Sequence, residues 1–126
     1  MLQPKAYSKE KQKVYDVKYI DFDNETLELL TEQQFDFYAH VYDFDEVEFM
    51  ENTGFKDING DYIYVGSILT DEGVLGDDYW DYATIEKDIN DGYYISWKNN
   101  EFSESLYECS AYSVVGNIYE NKELLK

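Results

Sequence analysis

The 126-residue chain has no arginine, one histidine (His40), one cysteine (Cys109) and one proline. A single cysteine excludes an intrachain disulfide framework and any Cys-rich zinc module. No apolar run approaches the ~18 residues of a membrane-spanning helix, and no signal-peptide core follows Met1. The expectation is a soluble, intracellular protein. Positive charge is scarce as well: ten lysines face 28 acidic residues, a net charge of −18. That balance disfavours direct binding to nucleic acid and to an anionic membrane. What the chain does not lack is aromatic side chains, at 18% of the total, and this excludes disorder through shortage of apolar material. The length suits a single domain spanning 1–126, large enough to bury a core without covalent staples.

The charge is uneven along the chain. Spread over a folded surface of roughly 7,000 Å², it averages about one excess negative per 390 Å², several-fold below the roughly one per 110 Å² of duplex DNA. It imitates a polyanion only where the acids crowd onto one face. Two stretches are crowded. Asp21 to Glu51 holds eleven acids and no lysine, and Asp71 to Asp91 holds eight acids against Lys87 alone. Five of the ten lysines (Lys5, Lys9, Lys11, Lys13, Lys18) precede them. That basic start either neutralises the acids locally or forms an exposed, counter-charged strand. The plainer reading of such a run is a solvated face.

Period-two alternation dominates the pattern. Lys13 to Phe22 reads as a strand, Asp23-Asn24 as a turn, and Thr26 to Leu30 as the returning strand of a hairpin. Thr31 to Val41 fits a short helix through the Thr31/Gln34 capping box, or a strand through Phe35, Phe37 and Tyr38. Val47 to Asn52 reads as a strand leading into a turn at Gly54. Asn59-Gly60 predicts a type I′ hairpin turn with both residues at positive φ, followed by Tyr62 to Val65 as a strand. Ser67 to Thr70 is a further short strand, Thr84 to Ile89 a single helical turn, and Tyr93 to Trp97 a strand. Tyr112 to Ile118 closes the set, with a short helix over Glu120 to Leu125. Short strands with Gly or Asn turns at about 8–12-residue spacing predict a mainly β fold with minor α content. The expected form is a small antiparallel barrel or curled sheet with a short C-terminal helix.

Catalytic signatures are thin. His40, with Asp36 one helical turn before it, offers two metal ligands where a zinc site needs three or four. No cofactor is expected, and a divalent metal near His40 is kept only as an alternative. Asp57 to Asp61 departs from a calcium loop, with Gly60 at position 4 and Ile68 at position 12, so a hairpin turn explains it better. A Cys109–His40 dyad lacks an activating context, since lone cysteines usually pack as small apolar groups. Neither a glycine loop nor an arginine is present for phosphate chemistry. The reading is a protein that is not an enzyme.

The aromatics and acids together suggest an interface. Fourteen tyrosines, many beside acids (Tyr42-Asp43, Asp78-Tyr79, Asp81-Tyr82), suit a basic partner, whose lysines and arginines pair with carboxylates and stack on rings. The alternative is that tyrosines are simply β-formers on a half-buried sheet. On a strand, residues i and i+2 point the same way about 6.6 Å apart. Asp43/Asp45 and Glu46/Glu48 have that spacing, comparable to the phosphate interval along a nucleic-acid strand. The candidate partner-binding residues are Asp43, Asp45, Glu46, Glu48, Asp77, Asp78, Asp81, Tyr42 and Tyr79.

Three stretches carry a resemblance. They are Lys5-Ala6-Tyr7 through Val14-Tyr15-Asp16-Val17 to Ile20-Asp21-Phe22; Asp45 through Thr53-Gly54-Phe55-Lys56-Asp57-Ile58-Asn59-Gly60-Asp61 to Tyr64; and Val115-Gly116-Asn117-Ile118-Tyr119-Glu120-Asn121-Lys122-Glu123-Leu124-Leu125. Together they resemble the YopX-like family of small phage and prophage proteins. The chain departs from the family where Val65-Gly66-Ser67 replaces Glu-Gly-Asp and where Lys122 replaces proline. The region Gly73 to Ser110 aligns with nothing in the family pattern. The resemblance implies a β-rich fold, a phage or mobile-element origin and the cytoplasm of a bacterial host, and it carries no catalytic residues. By analogy with small acidic phage inhibitors, the leading expectation is a DNA mimic, anti-CRISPR-like in action. It would block DNA loading into the basic channel of a bacterial defence protein, such as a Cas9-type CRISPR effector nuclease. The alternative is a non-enzymatic accessory module that recognises a protein partner.

Overall fold

The computed structural model describes residues 3–30, 41–71, 82–90, 92–98 and 103–125. The chain divides into two compact units, Met1–Glu51 and Asn52–Lys126.

The first unit is one antiparallel sheet built from β1 (Lys5–Ser8), β2 (Lys13–Asp21), β3 (Thr26–Leu30), β4 (Val41–Asp43) and β5 (Val47–Met50), in the order β4-β3-β2-β1-β5. Its core gathers Ala6, Val17, Leu27, Leu29, Tyr42 and Val47, with Tyr15, Ile20 and Phe44 packed against them. The β2–β3 hairpin forms as its sequence predicts. The Asp21 carboxylate accepts the N–H groups of Asp23 and Asn24 at 3.1 and 3.2 Å and the Asn24 side-chain amide at 2.7 Å. Those bonds, the Asn24 side chain foremost, hold the Asp21 carboxyl below its ordinary pKa. The left-handed residue of this turn is Glu25, at φ +54°, and not Asp23 or Asn24.

β2 is long because it serves two neighbours. Its first half pairs with β1 from Lys13 to Asp16, and its second half pairs with β3 from Asp16 to Asp21 across a bulge between Val17 and Tyr19. The edge strands β4 and β5 are joined by a 3₁₀ turn of three residues, Phe44–Glu46. At ~2.0 Å rise per residue that link covers roughly 8 Å, whereas in a flat sheet four strand spacings separate the edges by about 19 Å. The sheet therefore curls until its two edges nearly meet. Among the described residues no ladder joins β4 to β5, so the curl stops short of the barrel that the strand spacing suggested.

The second unit holds a two-stranded ribbon, β6 (Asn52–Lys56) with β7 (Tyr62–Tyr64), and a five-stranded antiparallel sheet. That sheet comprises β8 (Ser67–Thr70), β9 (Tyr82–Asp88), β10 (Gly92–Trp97), β11 (Ser103–Ser105) and β12 (Ser113–Asn117), ordered β11-β10-β9-β8-β12. Its core comprises Ile63, Leu69, Ala83, Ile85, Ile95, Trp97, Leu106 and Cys109. Every residue of β8 is buried, as expected for a strand covered on both faces.

Two elements depart from the sequence pattern here. Thr84 to Asp88 is extended, as part of β9, rather than a helical turn, and Ile89 lies in the turn that follows. Ala83 and Ile85 point into the core opposite Trp97 and Ile95, and that cross-strand packing overrides local preference. The C-terminal helix is only a 3₁₀ turn, Lys122–Leu125. It follows a tightly bonded tail in which the Asn121 side chain accepts the Asn117 N–H at 3.0 Å. A Cβ on Gly116 would overlap that Asn121 side chain. The tail stretch that resembles the YopX-like family is thus a turn lock.

Candidate functional site

The acids play two roles, some standing in water and some accepting bonds that hold the fold. In the first unit, Asp43, Asp45, Glu46 and Glu48 are all exposed. The Asp43–Glu46 pair is a capping arrangement, with the Glu46 carboxylate accepting the Asp43 N–H at 3.0 Å. It fixes the link between β4 and β5 and brings carboxylate oxygens of Asp43, Asp45 and Glu46 within 4.8 Å of one another. Among the described residues no ammonium group lies on these three carboxylates.

The lysine-rich start does neutralise part of the acidic stretch. β1 pairs with β5, and Lys9 Nζ reaches Glu48 at 3.6 Å while donating to the Asp45 carbonyl at 2.9 Å. Lys18 similarly meets Glu28 at 3.4 Å. Glu48 and Glu28 are thereby paired, and Asp43, Asp45 and Glu46 remain as a close-set group of exposed carboxylates.

Tyr42 is not on that face. It is 5% exposed in the core of the first unit, and burial is the main reason its hydroxyl pKa is pushed up. It packs the sheet instead of presenting a ring to a partner, because β4 has only one residue pointing inward and Tyr42 is that residue. Asp77, Asp78, Tyr79 and Asp81 lie outside the described residues, as do Asp36 and His40.

Phenylalanine, not tyrosine, marks the patch. Phe22 and Phe49 are 72% and 39% exposed. Phe44 bridges them edge to face, with ring centroids 6.2 Å from Phe22 and 5.3 Å from Phe49. Phe44 rests on the core beneath, and its N–H donates to the Glu25 carbonyl at 3.0 Å, which ties the link to the β2–β3 turn. The result is a ridge of three rings along the seam between the sheet edges. The sequence held a signal for it: each ring is preceded by an acid, in Asp21-Phe22-Asp23, Asp43-Phe44-Asp45 and Glu48-Phe49.

In the second unit the notable acids point inward. Asp57, 5% exposed, accepts the N–H groups of Asn59, Asp61 and Val114, each at 2.9 Å. The Asp57-to-Asp61 stretch is thus a hairpin turn pinned to β12 and not a cation loop. Within it Gly60 is left-handed at φ +85° while Asn59 is not. The Asp57 carbonyl accepts the Gly60 N–H at 3.1 Å, so the geometry is a type I turn with a glycine bulge instead of the expected type I′. Glu104 accepts both the Trp97 indole N–H and the Tyr112 hydroxyl at 2.7 Å. Burial first, then this bond to Glu104, pushes the Tyr112 pKa well above its ordinary value. Cys109 is buried, its thiol donates to the Lys56 carbonyl at 3.4 Å, and burial pushes its pKa up, away from thiolate chemistry. Among the described residues no helix is long and apolar enough to cross a membrane.

The YopX protein family matches residues 5–126. The chain belongs to the YopX family. That match extends across both units, and it gives the chain the phage and prophage setting of the family. No curated protein matches. Among solved structures, the chain is similar to the crystal structure of protein EF1440 from Enterococcus faecalis, at 22% identity and a TM-score of 0.65, over 98% of this chain and 97% of that one. This likeness concerns the fold.

Proposed function

We propose that this YopX-family chain is a non-enzymatic docking protein of the host cytoplasm that engages a basic, nucleic-acid-binding protein through the acidic face of its first unit. One observation carries the reading: three exposed carboxylates, from Asp43, Asp45 and Glu46, converge within 4.8 Å on a capped turn. Such a group steers lysine- and arginine-rich surfaces and pairs with them on contact. A DNA-acting defence protein, such as a CRISPR effector nuclease, is one partner of this chemistry.

The narrower reading, imitation of a polynucleotide that blocks DNA loading, draws its support from the same density of charge. Against it stand Lys9 on Glu48 and the inward acids Asp57 and Glu104, which take those carboxylates out of any imitation of a phosphate row. The Phe22–Phe44–Phe49 ridge beside that patch favours the accessory-module reading, since phosphate imitation has no use for exposed rings.

The test uses immobilised protein and a lysate of a low-GC bacterium. Wild type is compared with the isosteric variant Asp43→Asn/Asp45→Asn/Glu46→Gln/Glu48→Gln, in which amide oxygens can still accept the capping bond. A basic, DNA-acting protein is expected on the wild type at about 50 mM salt, lost at about 300 mM and absent from the variant. Identical retention by both proteins, or retention indifferent to salt, overturns the reading.

A further inference from the structure

The docking reading leaves open what the partner must look like, and the ridge answers it. Phe22 at 72% exposure is costly to leave in water unless something covers it, since an aromatic side chain buries about 150–250 Å² when packed. Its neighbours hold it in place. Phe44 is seated on the core, Phe49 sits on β5 opposite the fully buried Ala6, and the three rings meet edge to face. Such an array is pre-organised, so covering it immobilises few rotamers. The Asp43, Asp45 and Glu46 carboxylates lie along its flank, on the same 3₁₀ link that carries Phe44.

Three occupants compete for this surface. A second copy of the chain would bring two bodies of net charge −18 together with their acidic turns adjacent, which like-charge repulsion opposes. A nucleic acid meets the same repulsion. A protein segment with cations around an apolar centre satisfies both halves of the surface. We infer that the Phe22–Phe44–Phe49 ridge and the flanking carboxylates form one composite site, which binds a protein segment carrying lysine or arginine on each side of an apolar anchor. The anchor covers the rings, and the flanking cations reach the carboxylates and the ring faces. The inference rests on the docking reading and specifies its partner: affinity comes from the apolar contact, and charge sets orientation and encounter rate.

The test titrates ¹⁵N-labelled protein with two synthetic 12-residue peptides. One has a Leu-Phe centre flanked by two arginines on each side; the other is the same peptide with serines at the centre. Phe22→Ser and Phe49→Ser are run in parallel, and their amide spectra confirm folding, since neither side chain belongs to the buried core cluster. The composite site predicts shifts confined to the amides around residues 22, 43–46 and 49. It also predicts at least about tenfold weaker binding for the serine-centred peptide and for each variant. Equal affinity for both peptides, unchanged by either variant, overturns the composite site and leaves the acidic docking reading standing. Binding of neither peptide at about 50 mM salt overturns both. Concentration-dependent self-association of the wild type, abolished in Phe22→Ser, assigns the ridge to a second copy and overturns the inference as well.

Discussion

The two units spend their carboxylates differently. In Asn52–Lys126, Asp57 and Glu104 between them accept two side-chain donors and three backbone N–H groups, and the turn, β12 and the Trp97–Tyr112 pair hang on those bonds. In Met1–Glu51, Asp21 holds the β2–β3 turn and Glu46 clamps the link, while Asp43 and Asp45 stand exposed. The contrast teaches that net charge says little about what an acid does. A carboxylate supplied with backbone donors is a structural strut, and one left facing water is free to meet something else.

The sharpest way to break the comparison is Asp57→Ala. It strands the N–H groups of Asn59, Asp61 and Val114, so the second unit should lose about 3–5 kcal/mol. Both tryptophans of the chain lie in that unit, so tryptophan fluorescence during urea unfolding reads the loss; an unchanged midpoint would remove Asp57 from its structural role. Next comes Glu104→Ala, which leaves the Trp97 indole and the Tyr112 hydroxyl without their shared acceptor, at a cost of about 1–3 kcal/mol. Glu104→Gln should recover much of it.

Tyr112 sharpens the same point through pH. Its folded pKa is raised above the ordinary 10.0. Its contribution is therefore fully present below about pH 10, where folded and unfolded chains both hold the proton, and is lost as pH rises through the folded value. Alkaline absorbance titration should show late-ionising tyrosines, Tyr42 among them, and Tyr112→Phe should delete the latest component. The smallest effect belongs to the first unit. Changing Asp43 and Asp45 to Asn, and Glu46 and Glu48 to Gln, should shift stability by no more than about 0.5 kcal/mol per position, while removing the salt-dependent binding. A large destabilisation would show that these acids, too, are struts.

Much of the architecture is written locally. The β2–β3 hairpin is legible because Asp21 and Asn24 act within four residues of chain, and the Asn59-Gly60 turn because glycine tolerates the left-handed conformation. What stays hidden depends on distant partners. β1 has no apolar signature, since its buried residues are the small Ala6 and Ser8; only pairing with β2 and β5 makes it a strand. β9 looked helical because Thr84 to Ile89 has no strict alternation, and the cores of Ile95 and Trp97 decide the matter. The type I′ prediction failed because Asp57 captures the Asn59 and Asp61 N–H groups and fixes the turn from a residue outside the Asn-Gly pair.

The candidate site divides along the same line. Asp43, Asp45, Glu46 and Glu48 could be named from their charge, and they do lie on the surface. Phe44–Glu46 is a 3₁₀ turn, however, and not the strand that the i, i+2 spacing assumed, so the phosphate-like interval is not formed. Tyr42 was drawn in by its acidic neighbour, but strand alternation turns it inward. The phenylalanine ridge stayed hidden because its members are 22 and 5 residues apart in sequence, and they meet only when the curl of the sheet brings both edges to one seam.

The three-residue link between β4 and β5 has a consequence for how this face can diversify. Asp45 and the rings of Phe22 and Phe49 are held by the link and the strands without holding them in turn, so exchanges there alter the outer surface and leave the scaffold intact. Glu46 is different, because it also clamps the link. A lineage tracking a changing adversary would therefore be expected to vary those positions first and to keep an oxygen acceptor at 46, so that its repertoire of targets could widen without relearning how to fold.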